Sequence, residues 1–488
     1  MPALRRRSRL LVCFAVLGLT AVSTAAAQPP SRPSDADTTK ALLAYLTDRA
    51  AEGLSGVVLV ARGDRVLLER GFGYLDAART RRVAADSVFT TGSITKQFTA
   101  AAILKLEMLG RLSTTDPLSQ FLPDVPADKR DVTLHHLLTH TAGLPPVSGD
   151  DLAPIGRDAF VREVLAAPLT QPLGQFSYSN VGYSLLAAVI ERVSGEPYEA
   201  FLAQHLFAPA GMRDTGYSRP RWAAERLAHG VNDDGTDRGT FGEVALPNGS
   251  PGWHLLGNGG LLSTARDMFR WHQALAGTRV LGAAVKAKIF RGWVEEGGGA
   301  SYGYGWSMED TPFGRLVTHN GGNPYFFADF LRYTDSGVTV YYATNSRDPA
   351  TRRLGRPLAQ IAHTGRVLDR PSRVFGPAPE GSTAAQLART FLQTVAADAA
   401  TRRARVPELF SAGLIERRGV DALAGFLARV NQDLEGADLG AIEVSAAPDG
   451  TVQAVRISLS GRGGRRSLML MLTGPPVRID GIELEAGA

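Results

Sequence analysis

Cysteine is almost missing from this 488-residue sequence, where Cys13 is the single one. It stands inside an apolar run over residues 10–22, which follows Arg5, Arg6, Arg7 and Arg9 and precedes Ala25-Ala26-Ala27. A basic stretch, a short apolar run and a small-residue cleavage site mark a secretory signal, so residues 1–27 are expected to be removed. A mature chain without Cys13 has no disulfide, no thiol nucleophile and no cysteine-ligated metal. Lipid attachment at Cys13 does not fit, because Val12 precedes it where a small residue is wanted. Long hydrophobic runs are missing too: beyond the leader nothing is continuously apolar over the roughly 20 residues of a membrane-spanning helix. The expectation is an exported protein, periplasmic or secreted, with no transmembrane segment after signal removal.

An excess of charge of either sign is also lacking. The net charge of +5 comes from 53 basic and 48 acidic residues, and four of the arginines lie in the leader, which leaves 49 against 48. No general attraction to nucleic acid or to an anionic membrane follows. Lysine is scarce, with only Lys40, Lys96, Lys105, Lys129, Lys286 and Lys288 among the 53 basic residues. There is no internal repeat and no low-complexity tract.

What is present has the length for more than one core. After a polar leader (28–37), the pattern predicts a helix over 38–52. A hairpin over 56–60 and 66–69 then turns at Gly63-Asp64. A helix follows Gly92, with Phe98, Ala101, Ala102, Leu106 and Leu109 at helical spacing and Gly110 as its stop. Residues 112–270 read as mainly helical, and short strands return at 315–318, 326–333 and 338–343. The hairpin and the late strands are expected to share one antiparallel sheet, with the helical stretch inserted as a lobe and a cleft between the two. A Pro/Gly linker (367–382) leads to a module (383–488) that reads as helices followed by alternating strands.

Three short segments carry chemistry. Ser93 and Lys96 stand three residues apart at the start of a helix, so hydroxyl and amine share one face. A serine nucleophile needs a group to remove its proton. A lysine can serve if burial and neighbouring charge bring its pKa down from the ordinary value of about 10.4, whereas arginine cannot deprotonate. In Tyr178-Ser179-Asn180, a turn before a helix, the phenol can relay a proton and the carboxamide can hold a substrate amide or the lysine. Thr318-His319-Asn320-Gly321-Gly322 ends a strand, and its glycines let a substrate approach the backbone. An N–H there, with that of Ser93, can form an oxyanion hole. His135, His136 and His140 include a pair four residues apart that could bind zinc, but no carboxylate stands at a matching spacing.

Taken in order, Ser-x-x-Lys, Tyr-x-Asn and His-x-Gly resemble the penicillin-recognising serine hydrolases, which include class C β-lactamases, DD-peptidases, D-aminopeptidases and related esterases. The stretches 89–110, 134–145 (LHHLLTHTAGLP), 177–217 and 257–275 resemble the family as well. The resemblance implies an α/β fold over 38–366: an antiparallel sheet flanked by helices plus an inserted all-α lobe. It also implies a two-step route in which Ser93 attacks a carbonyl while Lys96 and Tyr178 move its proton. The oxyanion would rest on the N–H groups of Ser93 and Gly322, beside Gly321, and water would release the acyl-enzyme. Asn180 would orient substrate and His319 would line the site. The family keeps the His135/His136/His140 segment as a helix-turn without metal, and no cofactor or metal is implied. His319 stands where the family's β-lactamases and DD-peptidases carry lysine, and a neutral imidazole holds a substrate carboxylate less firmly. The expected partner is therefore a small-molecule ester, amide or peptide. The alternatives are a class C-type β-lactamase, a D-Ala-D-Ala carboxypeptidase, or a ligand-sensing scaffold on the same fold. The 383–488 module, with 12 arginines against 12 acids, is an α+β unit that loosely resembles cystatin-like or NTF2-like domains and carries no catalytic motif.

Overall fold

Ser34 caps the opening helix, Asp35–Ala51, by accepting the Asp37 amide at 3.1 Å. The helix therefore begins three residues before the expected start. The structure, a computed structural model, describes residues 33–486 apart from 233–234, 247–249, 347–348, 367–374, 434–437, 447–450 and 462–463. The expected signal (1–27) lies outside the described residues, as do 28–32 of the leader and 367–374 of the linker.

Alternation of side chains makes the central sheet two-faced. In the strand Gly56–Arg62, Val57, Leu59 and Ala61 enter one core while Val58 and Val60 enter another, as the two-residue period of a strand requires. The strand Val338–Thr344 pairs with it antiparallel, Gly56 opposite Thr344 and Arg62 opposite Val338. It divides its side chains in the same way, Tyr341 and Ala343 to one core, Val338, Val340 and Tyr342 to the other. Burial on both faces is why these strands read as largely apolar runs,.

The sheet has eight strands in the order Arg65–Phe72, Gly56–Arg62, Val338–Thr344, Phe327–Tyr333, Gly314–Gly322, Ser307–Thr311, Ala300–Tyr302 and Val294–Gly297. The N-terminal hairpin and the late strands do share one antiparallel sheet. The last three strands in that order were not anticipated. They lie toward the sheet edge, mix the buried Tyr302 and Met308 with half-buried and exposed residues, and carry no apolar run.

The helices Asp35–Ala51 and Gly355–Thr364 cover one face through Leu42, Leu46, Leu358 and Ile361. The inserted lobe covers the other, and Phe98, Leu186 and Trp271 share one continuous core with Val57 and Tyr341. At its centre runs the helix Thr95–Met108, which buries 11 of its 14 residues and so has no polar face of the amphipathic kind expected. Short strands at Phe89–Thr90 and Leu262–Ser263 pair beside it.

Residues from Ala384 onward build a third core, in which Phe391, Val406 and Leu427 from helices meet Ile457 and Leu470 from strands. Among the described residues no helix is long and apolar enough to cross a membrane.

Candidate active site

Ser93 lies in a single 3-10 turn, Gly92–Ile94, that runs directly into the helix Thr95–Met108. The turn is stapled to the neighbouring segment on both sides. Thr91 donates its N–H and its hydroxyl to the Leu261 carbonyl at 2.7 and 3.0 Å, and Thr95 Oγ1 accepts the Leu261 N–H at 3.2 Å. The strand Gly314–Gly322 closes in from the other direction. A Cβ on Gly92, which sits at φ +52, would lie 2.7 Å from Gly322 N, and one on Gly321 would lie 2.3 Å from Ser93 N. Only glycine at both positions lets the strand end and the serine backbone come this close.

Lys96 is completely buried. Its Nζ lies 3.1 Å from Ser93 Oγ, 2.7 Å from Asn180 Oδ1 and 2.8 Å from the Asn258 carbonyl oxygen. It also stands 4.8 Å from the centre of the Tyr178 ring. Burial holds the Lys96 ammonium well below the usual lysine range, and the negative charge of Asp151 opposes that with a smaller effect. The Tyr178 phenol faces the Ser93 side chain, and burial pushes it above its ordinary range.

The segment 177–180 is held from one side by His140. That residue adopts φ +58, a left-handed conformation uncommon outside glycine. Its carbonyl accepts the Ser177 N–H at 2.8 Å and its Nδ1 accepts the Ser179 N–H at 3.0 Å. Its ring packs 4.2 Å from that of Tyr178, between those two bonds. An accepting Nδ1 means that the neutral ring carries its proton on Nε2. Burial keeps the ring neutral, and the nearness of Lys96 and His319 adds to this. Ser179, rather than Asn180, caps the helix Asn180–Ser194 by accepting the Gly182 amide. The Asn180 carboxamide is thereby free to reach Lys96.

The other two histidines of the 135–140 segment serve different neighbours. His136 Nδ1 accepts the Thr133 N–H at 3.1 Å in a capping box, and His135 Nδ1 lies 2.8 Å from the Tyr304 hydroxyl. Among the described residues no three His, Cys, Asp or Glu side chains come together in a way that could hold a metal.

His319 is also buried and spends both ring nitrogens within the protein. Nδ1 donates to the Asn320 carbonyl at 2.6 Å and Nε2 accepts from the Tyr302 hydroxyl at 3.0 Å. Burial and the neighbouring Lys96 bring its pKa down to about 3. The accessible cavity beside Ser93 measures about 380 Å³, and its walls include Ser93, Asn180, Asn258 and Gly322. There the strand end contributes Gly322 and Asn323 to the wall, while the His319 ring is turned to Tyr302.

Of the residues expected from sequence, Ser93, Lys96, Tyr178 and Asn180 form one connected set, Gly321 and Gly322 pass against Ser93, and His319 stands next to Tyr178 through Tyr302. Asn258, His140 and Asp151 were not foreseen. A signal for Asn258 existed in Gly257-Asn258-Gly259-Gly260: a Cβ on Gly257 would lie 2.6 Å from the Ala187 side chain, so the glycines let this loop bring a carbonyl against Lys96.

A family model described as Beta-lactamase matches residues 40–364. A penicillin-binding protein of Bacillus subtilis (strain 168) is 32% identical over 317 residues, which is 60% of this chain and 68% of that protein. Esterase EstB of Burkholderia gladioli is 29% identical over 293 residues, 52% of this chain and 74% of that protein. Among solved structures, a penicillin binding protein from Bacillus halodurans superposes with a TM-score of 0.55 at 27% identity, covering 62% of this chain and 95% of that one. With this match and this fold, the chain belongs to the beta-lactamase family and is a serine hydrolase.

Proposed function

We propose that Ser93 is the nucleophile for a small ester, amide or peptide, with Lys96 as its base and Tyr178 as proton relay. The observation that carries this is the set of partners around Lys96 Nζ. A neutral amine offers two N–H groups and one lone pair, whereas an ammonium offers three donors and no lone pair. The oxygens of Asn180 and Asn258 can only accept, so they take the two N–H groups. The lone pair is left for the Ser93 hydroxyl, 3.1 Å away. Burial favours that neutral form,.

In the first step the Ser93 proton passes to Lys96 Nζ as Oγ bonds to the carbonyl carbon, and the carbonyl electron pair moves to oxygen. The N–H groups of Ser93 and Gly322 would receive that oxyanion, with Gly321 permitting the approach. The bond to the leaving group then breaks, and the proton travels from Lys96 through Tyr178 to the departing atom. A water molecule attacks the acyl-enzyme by the same route in reverse. Asn180 orients Lys96 and a substrate amide together. These steps need no metal or cofactor.

A neutral His319 with both nitrogens engaged supplies no positive charge to a substrate carboxylate. This supports esters and small amides or peptides over β-lactams and D-Ala-D-Ala peptides, and similarity to a protein named an esterase supports the ester side. We also read residues 1–27 as an export signal and residues 383–488 as a binding or assembly module, since the cavity walls among the described residues all precede Phe327.

A fluorophosphonate probe is expected to label the wild type and to leave Ser93→Ala unlabelled; labelling of both would refute the nucleophile. Nitrocefin, short-chain p-nitrophenyl esters, D-alanine p-nitroanilide and a D-Ala-D-Ala peptide then rank the substrate classes. Fastest turnover of nitrocefin would overturn the preference for esters. Removal of residues 383–488 should leave turnover of the preferred compound in place.

A further inference from the structure

His319 is held at both ring nitrogens, and the two bonds differ in where they come from. The Asn320 carbonyl belongs to its own strand and moves with it. The Tyr302 hydroxyl, 3.0 Å from Nε2, comes from the strand Ala300–Tyr302, which lies two strands away in the sheet order. Tyr302 is buried, with its ring centre 4.8 Å from that of His140 and 5.9 Å from that of Phe176. The chain after it turns sharply, the Gly303 N–H donating to the Trp306 carbonyl at 2.8 Å. That turn is seated on the helix that carries Lys96: a Cβ on Gly305, at φ +77, would lie 2.8 Å from the Lys96 carbonyl oxygen. From the same turn the Tyr304 hydroxyl lies 2.8 Å from His135 Nδ1. Tyr302 is thus fixed to the inserted lobe as well as to the sheet, and cannot follow the His319 ring if that ring moves.

The direction of the bonds decides what they do. The Asn320 carbonyl can only accept, so Nδ1 carries the proton of the neutral ring and Nε2 accepts from Tyr302. A donor aimed at the lone pair of the neutral form disfavours the charged form, which would have to displace it. Burial and the charge of Lys96 act in the same direction. The other titratable groups around the ring are His140 and Tyr178, and Glu296 acts on Tyr178 and Tyr302 from the outer strand Val294–Gly297. The cavity wall itself carries Asp150 and Asp151, of the wrong sign for an anion, and Arg238, whose guanidinium lies 5.6 Å over the Tyr325 ring. We propose that Tyr302 is the positioning residue that sets the charge preference of the site: its hydroxyl keeps the His319 ring from the cavity and so turns away substrates with a carboxylate beside the scissile bond. This rests on the reading of Ser93 as nucleophile and names a residue, outside the three motifs, that narrows the substrate class of that site.

The test compares phenyl acetate with 3-acetoxybenzoate, the same ester with a carboxylate on its leaving group, as a ratio of kcat/KM between about pH 5 and pH 8, where that carboxylate is ionised. Only enzyme with neutral Lys96 turns over either ester, so the titration of Lys96 cancels in the ratio. The wild type should favour phenyl acetate. Tyr302→Phe keeps the ring and loses the hydroxyl, and should shift the ratio toward 3-acetoxybenzoate by about tenfold, more at the acid end. Adding His319→Gln should take that gain away. A wild type without the preference, a ratio that Tyr302→Phe leaves alone, or a gain that survives His319→Gln overturns the proposal. An equal loss on both esters overturns it too, by making Tyr302 a packing residue. Proton NMR of the histidine rings needs no turnover. His319 of the wild type should stay uncharged down to about pH 5 and should take up its proton at higher pH in Tyr302→Phe. A wild-type ring that titrates near the ordinary value of about 6.5 overturns the proposal before any variant is made. If Ser93→Ala still hydrolyses both esters, the nucleophile assignment fails, while the NMR midpoints continue to decide the role of Tyr302.

Discussion

The two sides of the cavity are built on opposite terms. On the closed side Lys96, His140 and His319 are all but removed from solvent, and the hydrogen bonds of Lys96 and His319 are spent on protein partners. On the open side Val147 and Leu152 face solvent, and among the described residues the Asp151 side chain makes no hydrogen bond and no ion pair. Burial tunes the closed side, lowering the proton affinity of the amine and the imidazoles and raising that of the phenol. Such preorganised chemistry is indifferent to most of the substrate, because it acts on the carbonyl alone. The open side touches the rest of the molecule that enters, so changes there should sort substrates and changes to the reacting groups of the closed side should remove all of them together.

The largest expected effect is that of Ser93→Ala, with a loss of about 10⁴-fold or more in kcat on every substrate. Parallel assays on a charged and a neutral compound check it; a loss confined to one of them would break the distinction between the two sides. Lys96→Arg comes next, with a loss of about 10³-fold, because a guanidinium keeps its proton across the accessible range. Raising the pH should not recover activity in this variant. Recovery would mean that another group removes the Ser93 proton.

The sequence exposed the closed side better than the open one, for a physical reason. Ser93 and Lys96 meet through the pitch of a single helix, and Tyr178 and Asn180 through a single turn, so local spacing carries the information. The central strands were visible because burial on both faces favours apolar residues at most positions,. Asn258 contributes a main-chain oxygen, which any residue type could supply, and His140 acts through its backbone conformation and two accepting atoms. Neither role shows as a local spacing of chemically active residues: only the glycines beside Asn258 announce its carbonyl, and the His140 ring meets residues 177–179 from a distant part of the chain. The strands Val294–Gly297, Ala300–Tyr302 and Ser307–Thr311 sit near an edge, where each is fixed by register with the next strand inward, the last of them with Gly314–Gly322, rather than by hydrophobic pattern. Asp151 had no local signature at all, since its isolation follows from what the fold leaves away from it.

His140 should produce an intermediate effect. His140→Ala removes the acceptor for Ser179 N–H and the ring against Tyr178 together, and displacement of a relay group by about 1 Å can cost about 10²-fold. We expect that loss in kcat with KM little changed. His140→Asn, which tolerates a left-handed backbone and keeps an acceptor near Ser179, should recover part of it. Equal loss in both variants would reduce His140 to a packing residue. On the open side, Leu152→Ser should raise KM severalfold for compounds with an apolar acyl group and leave kcat alone, by removing roughly one partly buried apolar contact. A fall in kcat instead would mean that the rim reaches the reacting atoms.

The smallest effect links the two sides and is read from pH. For a neutral ester, kcat/KM should rise with pH as Lys96 in the free enzyme loses its proton, because only the neutral amine can accept the proton of Ser93. Burial lowers the Lys96 pKa and the negative charge of Asp151 raises it again in part. Asp151→Asn removes the raising effect, so the pKa of Lys96 falls further and the acid limb moves to lower pH. The shift arises only where Asp151 is ionised in the wild type, and burial raises the pKa of that carboxyl, so the two profiles should converge again at the acid end. The measurement is a paired pH profile of kcat/KM on p-nitrophenyl acetate, and its readout is the direction of the limb rather than the height of the plateau. A limb that moves to higher pH would mean that Lys96 is not the group whose deprotonation switches the enzyme on, and a limb that stays in place would separate the two sides electrostatically.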